Sequence, residues 1–84
     1  MLNKMLSQDE IETRLIEARL AWRSGDHLIG ERALLGVNGP GSYLVYPMSD
    51  DPAEATRLKQ QIDELFADAA NVAVQAPIGR PTPQ

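Results

Sequence analysis

Cysteine is absent from all 84 residues, and with it go disulfides, thiolate nucleophiles and thiolate metal ligands. A single histidine, His27, is too little to build a structural metal site. Aromatic residues are scarce, with one Trp, one Phe and two Tyr, so a base-stacking surface has little to draw on. No apolar stretch approaches the ~18–20 residues that a membrane span needs, and the first six residues lack the pattern of a signal peptide. Eight Lys and Arg are scattered among twelve Asp and Glu, which leaves no basic cluster to track phosphates. Neither a membrane partner nor sequence-specific nucleic-acid binding is expected.

What remains is an ordinary globular composition, 43% apolar and 24% charged, with a net charge of −4. A domain of this size buries only about 60–65% of the surface its unfolded chain exposes. One such core supplies roughly 3–5 kcal/mol of stability. With disulfides and metal set aside, self-association is the remaining supplement, and a homo-oligomer is expected.

Two helices frame the chain. Ser7-x-x-Glu10 reads as a capping box, with Leu6 and Ile11 as a hydrophobic staple. Ile11, Leu15, Ala18 and Trp22 then fall on one face of a helix over residues 8–23, which Gly25 ends. Glu10 and Arg14 form an i,i+4 pair on that helix. Asp51-x-x-Glu54, with Pro52 at the first helical position, opens a second helix over residues 52–70. Its stripe is Ala55, Leu58, Ile62, Leu65, Phe66 and Ala69, and Asn71 is its stop.

Between the helices the pattern predicts a two-stranded hairpin over residues 27–47, turned by Asn38-Gly39-Pro40-Gly41. Neither face of residues 27–35 is cleanly polar, so a short helix capped by Asp26 and ended by Gly36 stays open for that part. Val72-Ala73-Val74 can add a short strand. Residues 75–84 hold Pro77, Pro81 and Pro83 and too few apolar groups to pack, which predicts an extended arm. The expected fold class is α+β: an α-β-β-α module in residues 1–74 and a proline-rich C-terminal arm in residues 75–84.

The chemistry-bearing residues have plainer readings beside them. His27 with Asp26 and Glu31 is the one acid–base combination, but acid–base work needs a pocket and a third, orienting group; an exposed histidine at a loop edge accounts for it. Asp50 and Asp51 suggest a cation, yet carboxylates ahead of a Pro complement a helix dipole. Glycines 36, 39 and 41 lead into an apolar strand, which fits a hairpin turn better than a phosphate cradle. Trp22 continues the core stripe. Tyr43 and Tyr46, three apart on a strand, point to opposite faces, so one is expected to be exposed as a protein contact. No catalytic, cofactor-binding or metal-ligating set emerges, and an enzyme is not expected.

Ser24-Gly25, then Ile29-Gly30-Glu31-Arg32, then Asp51 leading to Leu58, Ile62 and Leu65, span most of residues 8–70. In that layout the chain resembles the W-type head-completion (head–tail joining) proteins of tailed phages. The resemblance implies an α-β-β-α module that assembles as a ring beneath the portal and carries the next connector protein. It further implies a docking arm, here Pro77-Ile78-Gly79-Arg80-Pro81, and a place in the virion after assembly in the host cytoplasm. The alternative is a small acidic, cytoplasmic regulatory or inhibitor protein, in which Glu10, Glu12, Glu17, Asp50, Asp51 and Glu54 mimic nucleic-acid charge on a host protein surface. Leu6-Ser7-x-x-Glu10-Ile11 with Trp22 is also similar to pterin dehydratases, whose chemistry depends on paired histidines that His27 alone does not supply.

Overall fold

A computed structural model describes residues 3–79 of the chain. These residues form the expected α+β mixture, with two helices and five strands in two sheets. Helix α1 (Gln8–Glu17) starts where its capping box predicts. Ser7 Oγ accepts the Glu10 N–H at 3.2 Å, and the Glu10 carboxylate accepts the Ser7 N–H at 3.1 Å. Those bonds hold the Glu10 carboxyl below its ordinary value.

The helix ends at Glu17, not at residue 23. Arg19 adopts a left-handed φ of 60°. Around it, Leu20 N–H reaches Leu15 O and Arg19 N–H reaches Ile16 O, both at 2.9 Å. This is a Schellman closure with arginine in the position glycine usually holds, and the apolar contact that accompanies it joins the fully buried Leu15 and Leu20. Left-handed backbone costs a side chain roughly 1–2 kcal/mol, partly offset by glycine's larger unfolded-state entropy. Arg19→Gly is therefore expected to raise stability by about 0.5–1 kcal/mol in urea unfolding.

Because the helix stops early, Trp22 does not continue its core stripe. It lies on β1 (Ala21–Ser24), which pairs antiparallel with β2 (His27–Gly30). Gly25, with φ of 63°, is the first of two loop residues between Ser24 and His27. That is the position where a II′ hairpin turn requires glycine, so Gly25 turns this hairpin instead of ending α1.

The apolar run after His27 is strand, not helix, and it breaks at a corner. Glu31 and Arg32 both turn their N–H groups onto Leu20 O, at 3.3 and 3.0 Å. The chain then resumes as β3 (Ala33–Val37), antiparallel to β4 (Tyr43–Pro47). The predicted hairpin of residues 27–47 is thus divided: its beginning folds back onto β1, and only β3 pairs with β4. The layout between the helices is four strands in two pairs, not two strands.

Helix α2 (Pro52–Leu65) follows, with the Asp51 carboxylate accepting the Ala53 N–H at 3.1 Å. The Asp51 N–H donates to Ser49 Oγ, where the sequence pattern expects Glu54. The helix ends at Leu65, short of residue 70. The chain then enters β5 (Val72–Val74), parallel to β4. Parallel neighbours need a crossover, and α2 supplies it, giving a sheet ordered β3-β4-β5. Ile11 and Leu15 from α1, Val45 from β4, and Leu58, Ile62 and Phe66 from α2 meet in one core.

Two polar devices close the module. Asn71, predicted as a helix stop, is buried. Its amide accepts the Leu6 N–H at 2.9 Å and donates to Leu6 O and Gly41 O at 2.8 and 2.9 Å. Arg14, predicted to pair with Glu10, forks instead onto Asp68 at 2.7 and 3.1 Å and donates to Leu65 O at 3.0 Å. This ties α1 to the end of α2. Arg14 holds the Asp68 carboxyl below its ordinary value of 3.8. A carboxyl depressed on folding stabilises above its unfolded value, and that contribution is lost as pH falls through the lower, folded value. Thermal scans from neutral to acid pH should therefore show a steeper acid-side loss for the wild type than for Asp68→Asn.

Candidate functional site

Two surfaces carry what the core does not use. The first is a cleft of about 230 Å³ between α1, the β1–β2 hairpin and β3, lined by Gln8, Glu12, Asp26, His27, Leu28, Gly30, Leu34 and Leu35. Its most buried charge is Glu12, which projects from the core side of α1. Arg23, on the inner face of β1, forms an ion pair with Glu12, and Gln8 Nε2 donates to it at 2.8 Å. Burying a carboxylate is costly unless it is paired, and here both partners come from the chain itself. Glu12 is an anchor between helix and hairpin. His27 is exposed at the hairpin turn, and among the described residues no side chain hydrogen-bonds its ring. Glu31 does not line the cleft, so the structure does not assemble the predicted trio of His27, Asp26 and Glu31.

The second surface is apolar. In the β1–β2 hairpin, Ala21 and Leu28 pack toward the core, which turns Trp22 and Ile29 outward as a cross-strand pair. They are 47% and 38% exposed. On the neighbouring sheet, Val45, Tyr43 and Val72 pack inward. The opposite face therefore carries Leu34, Gly36, Leu44, Tyr46 and Ala73, with no charge among them.

The predicted contact residues fall differently from expectation. Tyr43 and Tyr46 do occupy opposite faces of β4, but neither is exposed; both are half-buried. Tyr43 packs on the core, while the Tyr46 ring lies over Gly36, 3.5 Å from where a Cβ would stand. Pro77, Ile78 and Gly79 are exposed, yet the backbone there is stitched to this chain's own sheet. Ile78 N–H donates to Pro47 O at 2.9 Å, Ser49 N–H to Ile78 O at 3.1 Å, and Gln75 N–H to Val45 O at 2.9 Å. Arg80 and Pro81 lie outside the described residues.

Sequence reasoning missed Glu12 as a buried anchor and Trp22 as an exposed ring. The only local signal for the first is its adjacency to Ile11 at the edge of the stripe. The second depends on where α1 ends.

Fold and surface together define a small α+β module whose sheets carry the exposed apolar groups Trp22, Ile29, Leu34 and Val37, with Met5 and Ile78 exposed outside them. Comparison with protein-family models, with curated proteins and with solved structures finds no match. Among the described residues, no helix is long and apolar enough to cross a membrane.

Proposed function

We propose that the protein is a non-catalytic structural adaptor of the head–tail connector type. In this reading several copies assemble beneath a portal-like ring in a phage neck and carry the next connector protein. The observation behind it is the outward Trp22–Ile29 pair. Tryptophan is the residue most enriched among binding hot spots, and a small module gains nothing for its own fold by leaving its only tryptophan half in water. The non-catalytic part draws support from Glu12, whose carboxylate is already taken by Gln8 and Arg23.

The acidic-inhibitor alternative has less to draw on. Glu10 closes a helix cap, Glu12 is buried under Arg23, Asp51 caps α2, and Glu54 faces Arg32 at 3.5 Å. Of the six carboxylates in that reading Glu12 alone is buried; Glu10, Glu17, Asp50 and Asp51 stay exposed, but those bonded to this chain's own groups offer a partner less than their number suggests.

The test is co-sedimentation with a portal-type ring protein from the same genome. Deleting all of residues 75–84 would remove the bonds to Val45 and Pro47, so the arm is cut after Gly79 instead. Trp22→Ala should leave unfolding within about 1 kcal/mol of wild type and lower ring binding at least ~10-fold. Truncation after Gly79 should weaken binding if the arm docks as the connector resemblance implies. Unchanged binding in both variants, or binding lost only on charge reversal of the helices, would sink the adaptor reading.

A further inference from the structure

The turn between β3 and β4 carries a reactive pair that the adaptor reading does not use. Gly39 O accepts the Ser42 N–H at 3.1 Å, and Gly41 has a left-handed φ of 71°. With Pro40 ahead of Gly41, that is a type II turn over residues 39–42. Asn38 stands just before it and is exposed. Its N–H donates to Ser42 O at 2.8 Å, and this is the only hydrogen bond Asn38 makes among the described residues. Neither the Asn38 side-chain amide nor the Gly39 N–H has a partner there.

Gly39 has no side chain to shield its nitrogen, and a Cβ built on it would meet nothing within 4 Å. Glycine also takes either sign of φ, and Gly39 sits at 122°. The other two asparagines are placed differently. Asn71 is buried, its amide is spent on Leu6 and Gly41, and the β-branched Val72 follows it. Asn3 is followed by Lys4, whose N–H is already given to Asp68 O at 2.6 Å.

We propose that Asn38 is a site of spontaneous deamidation that marks aged copies of the protein. The Gly39 nitrogen attacks Asn38 Cγ and gives up its proton. The Cγ–Nδ2 bond breaks, and that nitrogen leaves as ammonia with the proton. The five-membered succinimide left behind takes up one water. Opening at Cγ gives aspartate at position 38. Opening at the main-chain carbonyl gives its β-linked isomer, whose backbone is longer by one methylene. Ammonia is released and water consumed, with no oxidant or reductant involved. Either product adds one carboxylate to a chain of net charge −4.

Attack requires the Asn38 side chain to swing onto the Gly39 nitrogen, so the end of the hairpin must loosen. Two bonds hold it, Asn38 N–H to Ser42 O and Ser42 N–H to Gly39 O, and loop openings of that extent cost little. Asn71 is freed only when the buried N-terminal segment comes away with it. The β-linked product takes Asn38 N–H out of register with Ser42 O, while Asn71 still holds Gly41 O, which confines the change to the turn. The modification goes beyond the adaptor reading and holds or fails without it.

The experiment keeps the full chain in warm, mildly alkaline buffer, folded or in guanidinium chloride, and follows it by mass spectrometry. Trypsin separates the three asparagines: Asn3 lies before the cut at Lys4, Asn38 between those at Arg32 and Arg57, and Asn71 after that at Lys59. A gain of about one dalton, an amide exchanged for a carboxyl, is expected on the Asn38 peptide, in two forms of equal mass that separate on a column. Folding should slow the change less than ~10-fold at Asn38 and at least ~100-fold at Asn71. Asn38→Gln would have to close a six-membered ring, so that variant should keep the wild-type circular dichroism and lose the gain. No gain in the folded chain would overturn the proposal. So would a gain that appears first at Asn3 or Asn71, or a slowing at Asn38 as large as that at Asn71.

Discussion

Asn71→Ala is expected to lose about 3–4 kcal/mol in urea unfolding followed by circular dichroism. The amide of Asn71 meets three backbone groups from two distant segments: both polar groups of Leu6, and the carbonyl of Gly41. Leu6 and Asn71 are both buried, so water does not replace the lost partners cheaply. A buried group left unsatisfied costs roughly 1–3 kcal/mol, and three groups are orphaned at once, the Gly41 carbonyl being partly reachable by water. Asn71→Asp should fare no better near neutral pH. A carboxylate can accept the Leu6 N–H, but it has no hydrogen to give Leu6 O or Gly41 O. If instead both variants unfold within 1 kcal/mol of wild type, Asn71 is not the pin that holds the N-terminal segment to the β3–β4 turn.

Gly30→Ala should be comparably severe, losing about 3 kcal/mol. A Cβ there would stand 1.8 Å from Ala33 O and 2.9 Å from Ala33 C. Both are backbone atoms, so no side-chain rotation relieves the contact. The corner itself must open, and with it the bonds of Glu31 and Arg32 to Leu20 O. That corner carries the chain from the β1–β2 pair to the three-stranded sheet, so its strain reaches both. Gly36 offers the comparison: its added Cβ would meet Tyr46 Cε1 at 3.5 Å, an ordinary contact. Gly36→Ala should therefore cost well under half as much, which separates a steric demand from the entropic effect of replacing glycine, itself favourable to folding. For a module whose single core supplies roughly 3–5 kcal/mol, either Asn71→Ala or Gly30→Ala uses most of the margin.

The parts of the fold legible in the sequence are those set by neighbours along the chain. The box between Ser7 and Glu10 is a three-residue event, and the structure forms both of its bonds. Asp51 and Pro52 mark the start of α2 for the same reason. The end of α1 is set at long range. Arg19 in a left-handed position gives no compositional signal, and the closure depends on Leu20 folding into the core. Misplacing that end carries Trp22 from an exposed strand face to a helix stripe.

The run from Leu28 to Val37 defeats periodicity for a different reason. Its second part has one face on the core and an outer face that is also apolar, so no alternation appears. The corner at Gly30 becomes visible only when Ala33 O is found against it. The candidate surfaces share this limit. Glu12 reads as a surface carboxylate until Arg23 and Gln8 are seen to close on it, and the arm reads as free until Ile78 is seen bonded to Pro47 and Ser49.

Fluorine NMR on the full chain, with fluorotryptophan in place of its one tryptophan, tests the adaptor account most directly. Titration with unlabelled portal-type ring protein is predicted to shift and broaden the Trp22 signal and to protect it from a paramagnetic solvent probe. Formation of the complex with the Trp22 signal unmoved and still open to solvent, or no complex at all, would contradict the account.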